Sequence, residues 1–278
     1  MDKDLASQVQ MMFTPLNRQS AAGSFPAPGA LSDLLSKYVD PSAATKTVVA
    51  TPRMLSCFAT AAVEMWLRAV HSFLISVSLT KASPIWASVA GYYSSHYSIR
   101  AWAHLFGAFQ LHKKRQIVRL DRAGRHFIFE KKHGNDREHK FYWKLVSEHP
   151  QLVNDPFFYP NQEDKLDGGH RNKANYWDHI CRYPVFQPLE TQVLKERIER
   201  ISTIHFSSVP VPRVDADYFP DIDNIQIIAY HRIVKFRNLV DEVCANNRFW
   251  KIQRTPSWCP LRFSVVESVF VALYQTMP

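Results

Sequence analysis

Apolar positions recur at the helical interval along most of this chain. After Thr51-Pro52, residues Phe58, Ala62, Met65, Trp66, Ala69, Val70, Phe73 and Leu74 are spaced by three and four. Glu64 and Arg68 form an i, i+4 pair on the other side. The pattern predicts a long helix opened by a proline in its first turn and running to about Leu79. Pro84 opens a second helix within Ala82–Leu111. There Tyr93, Tyr97, Arg100 and His104 share one stripe, while Tyr92, Ile99, Trp102 and Phe106 fill its neighbours. A helix apolar on most sides is the central helix of a bundle. Ile225, Ile228, Ala229, Ile233, Phe236, Leu239, Val240 and Val243 give a further long helix over Ile222–Ala245. Shorter helices are expected at Leu31–Tyr38, at His139–Ser147 and from Pro188 to about His205, with a closing helix or strand at Phe263–Tyr274.

One region breaks the helical period. Gln116-Ile-Val-Arg-Leu-Asp121 and Arg125-His-Phe-Ile-Phe-Glu130 alternate about the turn Arg122-Ala123-Gly124, which predicts a hairpin over Ile117–Lys131. Residues 1–50 are polar and rich in Ala, Ser and Pro, and read as an extended or partly disordered arm. Three regions follow: the arm over 1–50, a helical bundle over 51–183 with the hairpin inserted at about 113–133, and a helical C-terminal extension over 184–278. The fold class expected is therefore mainly α. Eight glycines against seventeen prolines agree with helices joined by stiff connections.

Charge adds to this picture because it is concentrated. The formal net charge is +9 and the pI about 9.4, a balance suited to polyanionic partners. Between His112 and Lys140 there are ten basic residues against four acidic ones, so this one segment carries two thirds of the net charge. Lys113, Lys114, Arg115, Arg119, Arg122, Arg125, Lys131 and Lys132 are the candidate nucleic-acid contacts. Phe127, Phe129, Phe141, Tyr142 and Trp143 lie among them as candidate stacking surfaces. Cys57, Cys181, Cys244 and Cys259 are too scattered for a zinc site or a redox pair, which points to a reducing cytoplasm. The opening residues do not form a secretory signal, and no stretch suits a membrane span. Phosphate-binding glycine loops, the HExxH zinc motif and the GxSxG elbow are absent, and neither a metal nor another cofactor is expected.

Two motifs resemble a known family. Tyr92-Tyr-Ser-Ser-His-Tyr-Ser-Ile-Arg-Ala101 is similar to the "YYxxFHxxRA" helix of the HEPN superfamily, and His170-Arg-Asn-Lys-Ala-Asn-Tyr176 resembles the "RNKADY" segment of one of its branches. The resemblance covers about Leu55–Tyr183. It implies a HEPN-like helical bundle of the kind found in toxin–antitoxin and anti-phage systems, many of them metal-independent ribonucleases. In that family an Arg polarises the phosphate, and a His four to six residues after the motif's opening pair moves a proton at the 2′-oxygen, the two meeting across a dimer interface. The resemblance carries these roles to Arg171 with Asn172 and to His179. His179 stands one residue beyond the family spacing, and Tyr176, Trp177 and Asp178 occupy the expected His positions.

The function expected is thus a HEPN-like nucleic-acid-binding subunit, RNA ahead of DNA, in a prokaryotic defence assembly, catalytically degenerate and associated with a protein partner or a second copy. The first alternative is an endoribonuclease using Arg171 and His179. The second is a protein-interaction scaffold with no nucleic-acid role. Arg200 with His205, Arg100 with His104, and Arg237-Asn238 also approach the catalytic pattern, the last more plainly as a partner for Asp241 or Glu242.

Overall fold

The structure is a computed structural model. It describes residues 3–21, 26, 30–80, 83–111, 114–131, 138–153, 155–158, 196 and 222–254. Among these it is mainly helical, with a small four-stranded antiparallel sheet. Helices α1 (Lys3–Ala21) and α2 (Ala30–Ser36) are followed by strand β1 (Thr45–Val49) and helices α3 (Pro52–Leu79) and α4 (Pro84–Leu105). Strands β2 (Ala108–Leu111), β3 (Gln116–Leu120) and β4 (His126–Lys131) come next, then helix α5 (Glu138–Ser147) and a 3-10 turn at Pro156–Phe158. Helices α6 (Ile222–Cys244) and α7 (Arg248–Gln253) complete the described chain.

Helices α3, α4 and α6 form the centre. Thr51 caps α3, its hydroxyl accepting from the Met54 N–H at 3.2 Å, and Pro52 occupies the first turn, where no N–H is needed. Close approach along α4 depends on small residues. Ser94 Oγ donates to the Ala69 carbonyl at 2.8 Å and Ser76 Oγ to the Ala87 carbonyl at 2.6 Å, so two buried hydroxyls tie α3 to α4. A Cβ at Gly91 would lie 2.9 Å from Ile225 Cγ2, so only glycine admits α6 at this distance. Trp66 closes the same core, donating Nε1–H to the Ile233 carbonyl at 3.0 Å and stacking on Phe236. By length and hydropathy α3 could cross a membrane, but 56% of its most apolar window is buried inside the protein, as befits a central helix.

Three expectations change. The stretch 3–21, expected as part of an extended arm, is helix α1, because Leu5, Val9, Met12, Phe13 and Leu16 recur at helical spacing and are all buried. It packs on α3, α6 and α7; Asn247 Nδ2–H donates to the Phe13 carbonyl at 2.8 Å, and the Arg248 N–H donates to Asn17 Oδ1 at 3.2 Å. The hairpin is not an appendage, since β3 and β4 are the inner strands of a sheet ordered β1-β4-β3-β2. Phe127 stacks on Phe58 with centroids 4.9 Å apart, which fuses the sheet to α3. The second helix, within its expected stretch, ends at Leu105, where Gly107 (φ +67) turns the chain into β2. Helix α6, read as part of a C-terminal extension, lies in the centre of the fold against α3 and α4.

Candidate nucleic-acid interface

The sheet sorts its side chains by alternation. Val118 on β3 pairs with Phe129 on β4, and Leu120 with Phe127, on the face turned to the core. Arg119 falls on the opposite face, across from Ala108 on β2 and Ile128 on β4. Thr45, Thr47 and Val49 of β1 are exposed, while Ile117 and Ile128 are half-buried.

The basic candidates divide between the two ends of this sheet. Lys114 and Arg115 lie in the β2–β3 connection, with Arg115 at a left-handed φ of 50. Lys131 ends β4 opposite Gln116, at the same end. Arg122 and Arg125 lie in the β3–β4 turn at the other end. Strand β3 has five residues, which at about 3.4 Å each sets the ends roughly 17 Å apart, with Arg119 between them. Lys114, Arg115, Arg119, Arg122, Arg125 and Lys131 are all exposed, and none enters a salt bridge among the described residues. Lys113 and Lys132 lie outside the described residues, as do Arg171, Asn172 and His179 and the pair Arg200 and His205.

The β3–β4 turn is held by its acid, which leaves its arginines to solvent. Asp121 accepts from the Arg125 N–H at 2.8 Å and from His126 Nδ1 at 3.1 Å. Burial pulls the Asp121 carboxyl up, yet these hydrogen bonds outweigh it and hold the group below its ordinary value. Gly124 (φ +69) completes the turn, its N–H donating to the Asp121 carbonyl at 3.0 Å.

The aromatic residues expected as stacking surfaces are not available for it. Phe127, Phe129, Phe141, Tyr142 and Trp143 are all buried. The hairpin phenylalanines occupy its core face, and the α5 residues serve as packing. Tyr142 Oη, for example, accepts from the Gln110 N–H at 3.1 Å, joining α5 to β2. Among the described residues the exposed aromatic side chains, Trp86 and Tyr93, lie on α4. The His149 ring, just past α5, lies on Phe106 with centroids 3.7 Å apart and planes within 3°. This pair borders a cleft of about 530 Å³ between α1, the β3–β4 turn and the end of α5. Arg119, Asp121 and Arg122 line it with Gln8, Gln151, Leu5, Leu120 and Leu145. A cleft assembled from segments so far apart in sequence leaves no contiguous motif, and no sequence signal singles it out.

The polar stripe of α4 is structural. His104 is fully buried, and burial, reinforced by the neighbouring Arg100 charge, pushes its pKa down to about 3. Its Nδ1 lies 3.1 Å from the Ala108 carbonyl, so the neutral ring carries its proton there and donates it. Such a ring joins helix to strand and serves no acid–base chemistry near neutrality. Arg100 stands over the Tyr142 ring at 5.3 Å. Arg237 pairs with Asp241 at 3.2 Å.

Arg232 is a buried polar centre that the helical pattern of α6 treats only as a charge. It has no solvent exposure. Its Nε–H donates to the Phe157 carbonyl at 2.6 Å and its Nη1–H to Ser95 Oγ, with the Trp143 ring 4.3 Å away. It joins α4, α6 and the 3-10 turn. Among the described residues no cluster of three or more His, Cys, Asp or Glu could hold a metal ion.

No protein-family model matches this chain, and no curated protein or solved structure matches it. The class the geometry defines is a mainly helical protein with a four-stranded antiparallel sheet whose exposed basic residues form no salt bridge among the described residues.

Proposed function

We propose that this protein is a nucleic-acid-binding subunit, RNA ahead of DNA, that holds its strand along the basic sheet. The observation that carries this reading is the set of six exposed cations, on one small sheet and its connections, that enter no salt bridge among the described residues. Pairing exposed charges adds little to stability, so cations clustered in water keep their counterions, which a polyanion releases on binding. The resemblance of Tyr92–Ala101 and His170–Tyr176 to HEPN segments adds the setting, a prokaryotic defence assembly containing a protein partner or second copy. The spacing of Arg171 and His179 favours retention of RNA over cleavage.

The test is retention of labelled single-stranded RNA in EDTA over a salt series, with cutting scored in the same samples. Six phosphate contacts would give a slope of log K against log salt of about −4. Replacing Lys114, Arg115, Arg119, Arg122 and Arg125 by Glu abolishes retention while the circular dichroism stays unchanged. Retention that survives those replacements refutes the reading. Metal-independent cutting lost in Arg171→Ala would replace it with the nuclease. Absence of both activities would leave the scaffold.

A further inference from the structure

Of the features outside the sheet surface, the cleft beside the β3–β4 turn carries the argument furthest. Its volume of about 530 Å³ falls within the range of small-ligand sites, about 300–1,000 Å³. Its lining is divided by chemistry. Arg119 and Arg122, both exposed and without a salt bridge among the described residues, line it together with the apolar Leu5, Leu120 and Leu145. Gln8 from α1 and Gln151 beyond α5 bring amide donors and acceptors. The Asp121 carboxylate is engaged by Arg125 N–H and His126, so it offers an incoming anion less repulsion than a free acid would. A ligand that matches all of this has a negative group, a flat body and hydrogen-bonding edges, which together describe one nucleotide.

The walls are built features. Gly107 cannot carry a Cβ, because that atom would lie 2.4 Å from Leu120 Cβ. Its N–H donates to the His104 carbonyl at 2.9 Å, and its own carbonyl accepts from the Leu120 N–H at 3.0 Å, which holds the α4–β2 corner against β3. Helix α1 reaches the turn through Met11, whose Cε would meet a Cβ on Gly124 at 2.7 Å, and this docking brings Leu5 and Gln8 to the cleft.

We infer that the cleft seats a single unstacked nucleotide of the bound strand, its phosphate on Arg119 and Arg122 and its base between the α1 and α5 walls. This rests on the nucleic-acid reading above and gives it a specificity: single-stranded ends and loops over duplex, whose paired bases cannot enter a cleft of this size. One base seated against the His149 ring that lines the cleft gains about 1–3 kcal/mol, so the preference for single strand over duplex is about fivefold to a hundredfold.

The test compares the full chain with Gln8→Trp and Gln151→Trp, which fill the cleft from opposite walls and leave every basic residue in place. The probes are an eight-nucleotide single-stranded RNA and a blunt RNA duplex, measured at one salt concentration, with thermal melts to show folding. Two variants guard against one of them failing to fold. The expected result is a roughly tenfold single-strand preference in the wild type, lost in either folded variant while duplex affinity and its salt slope persist. Equal wild-type affinity for both probes, or a preference that survives both fillings, overturns the cleft and leaves the basic sheet standing. No binding of either probe overturns the sheet and the cleft together.

Discussion

A guanidinium with no solvent exposure must find its hydrogen bonds inside the protein, and Arg232 finds them on the Phe157 carbonyl and Ser95 Oγ. Truncating it leaves two acceptors short of a donor and opens a cavity beside Trp143. Arg232→Ala should therefore cost about 3–5 kcal/mol in urea unfolding. Arg232→Lys recovers only part of this, since an ammonium cannot reproduce the fork. A loss under 1 kcal/mol would mean that the guanidinium is not holding α4 to α6. His104 makes a prediction in pH. Its folded pKa of about 3 lies below the ordinary 6.5, so the fold favours the neutral ring. That contribution is fully present above about pH 6.5 and is lost as the pH falls toward 3. Over that window His104 should give stability a slope of about 1.4 kcal/mol per pH unit. His104→Gln flattens this slope; equal slopes in wild type and His104→Gln would exclude the buried imidazole as its source.

At the level of elements, the α4–β2 corner illustrates what alternation alone cannot reveal. The long helices were legible: α3 and α6 start where their prolines, acids and apolar spacing place them, and α3 ends at the expected Leu79. The pairing of β3 with β4 was legible too, because a glycine turn between two alternating strands is a local signal. The outer strands were not. Strand β2 follows α4 after two residues and shares its apolar character, and β1 joins the sheet through β4, some eighty residues later in the chain. Helix α1 carried a helical spacing of buried residues, but its internal Pro15 and polar surroundings masked it. As for the candidate interface, the exposed cations could be read from charge alone. The burial of the nearby aromatics could not, because it depends on which sheet face meets α3. The corner itself is testable. Gly107 and Gly124 both have positive φ, but a Cβ on Gly107 meets the Leu120 Cβ, whereas one on Gly124 meets the flexible end of Met11. Gly107→Ala should cost at least about 2 kcal/mol in chemical unfolding, and Gly124→Ala nearer 1. The reverse order would contradict the corner geometry.

Across the whole molecule, α1 touches three distant parts at once: the β3–β4 turn, the central helices and the α6–α7 junction. Phe13 is 1% exposed, so Phe13→Ala should cost about 3–5 kcal/mol. A free arm would show no loss, which makes the melting temperature of this variant a direct reading of whether α1 is docked. The hydrogen bond from Asn247 to the Phe13 carbonyl spans 234 positions of the chain. Translation adds about 5–20 residues per second, so α1 waits roughly 10–50 s between its own synthesis and that of its last partner. During that interval Leu5, Val9, Met12, Phe13 and Leu16 have no finished surface to cover them. The growing chain thus presents an apolar helix long before its last partner exists, an early foothold for a chaperone, and the cleft, which needs α1 as a wall, is completed only once that helix has docked.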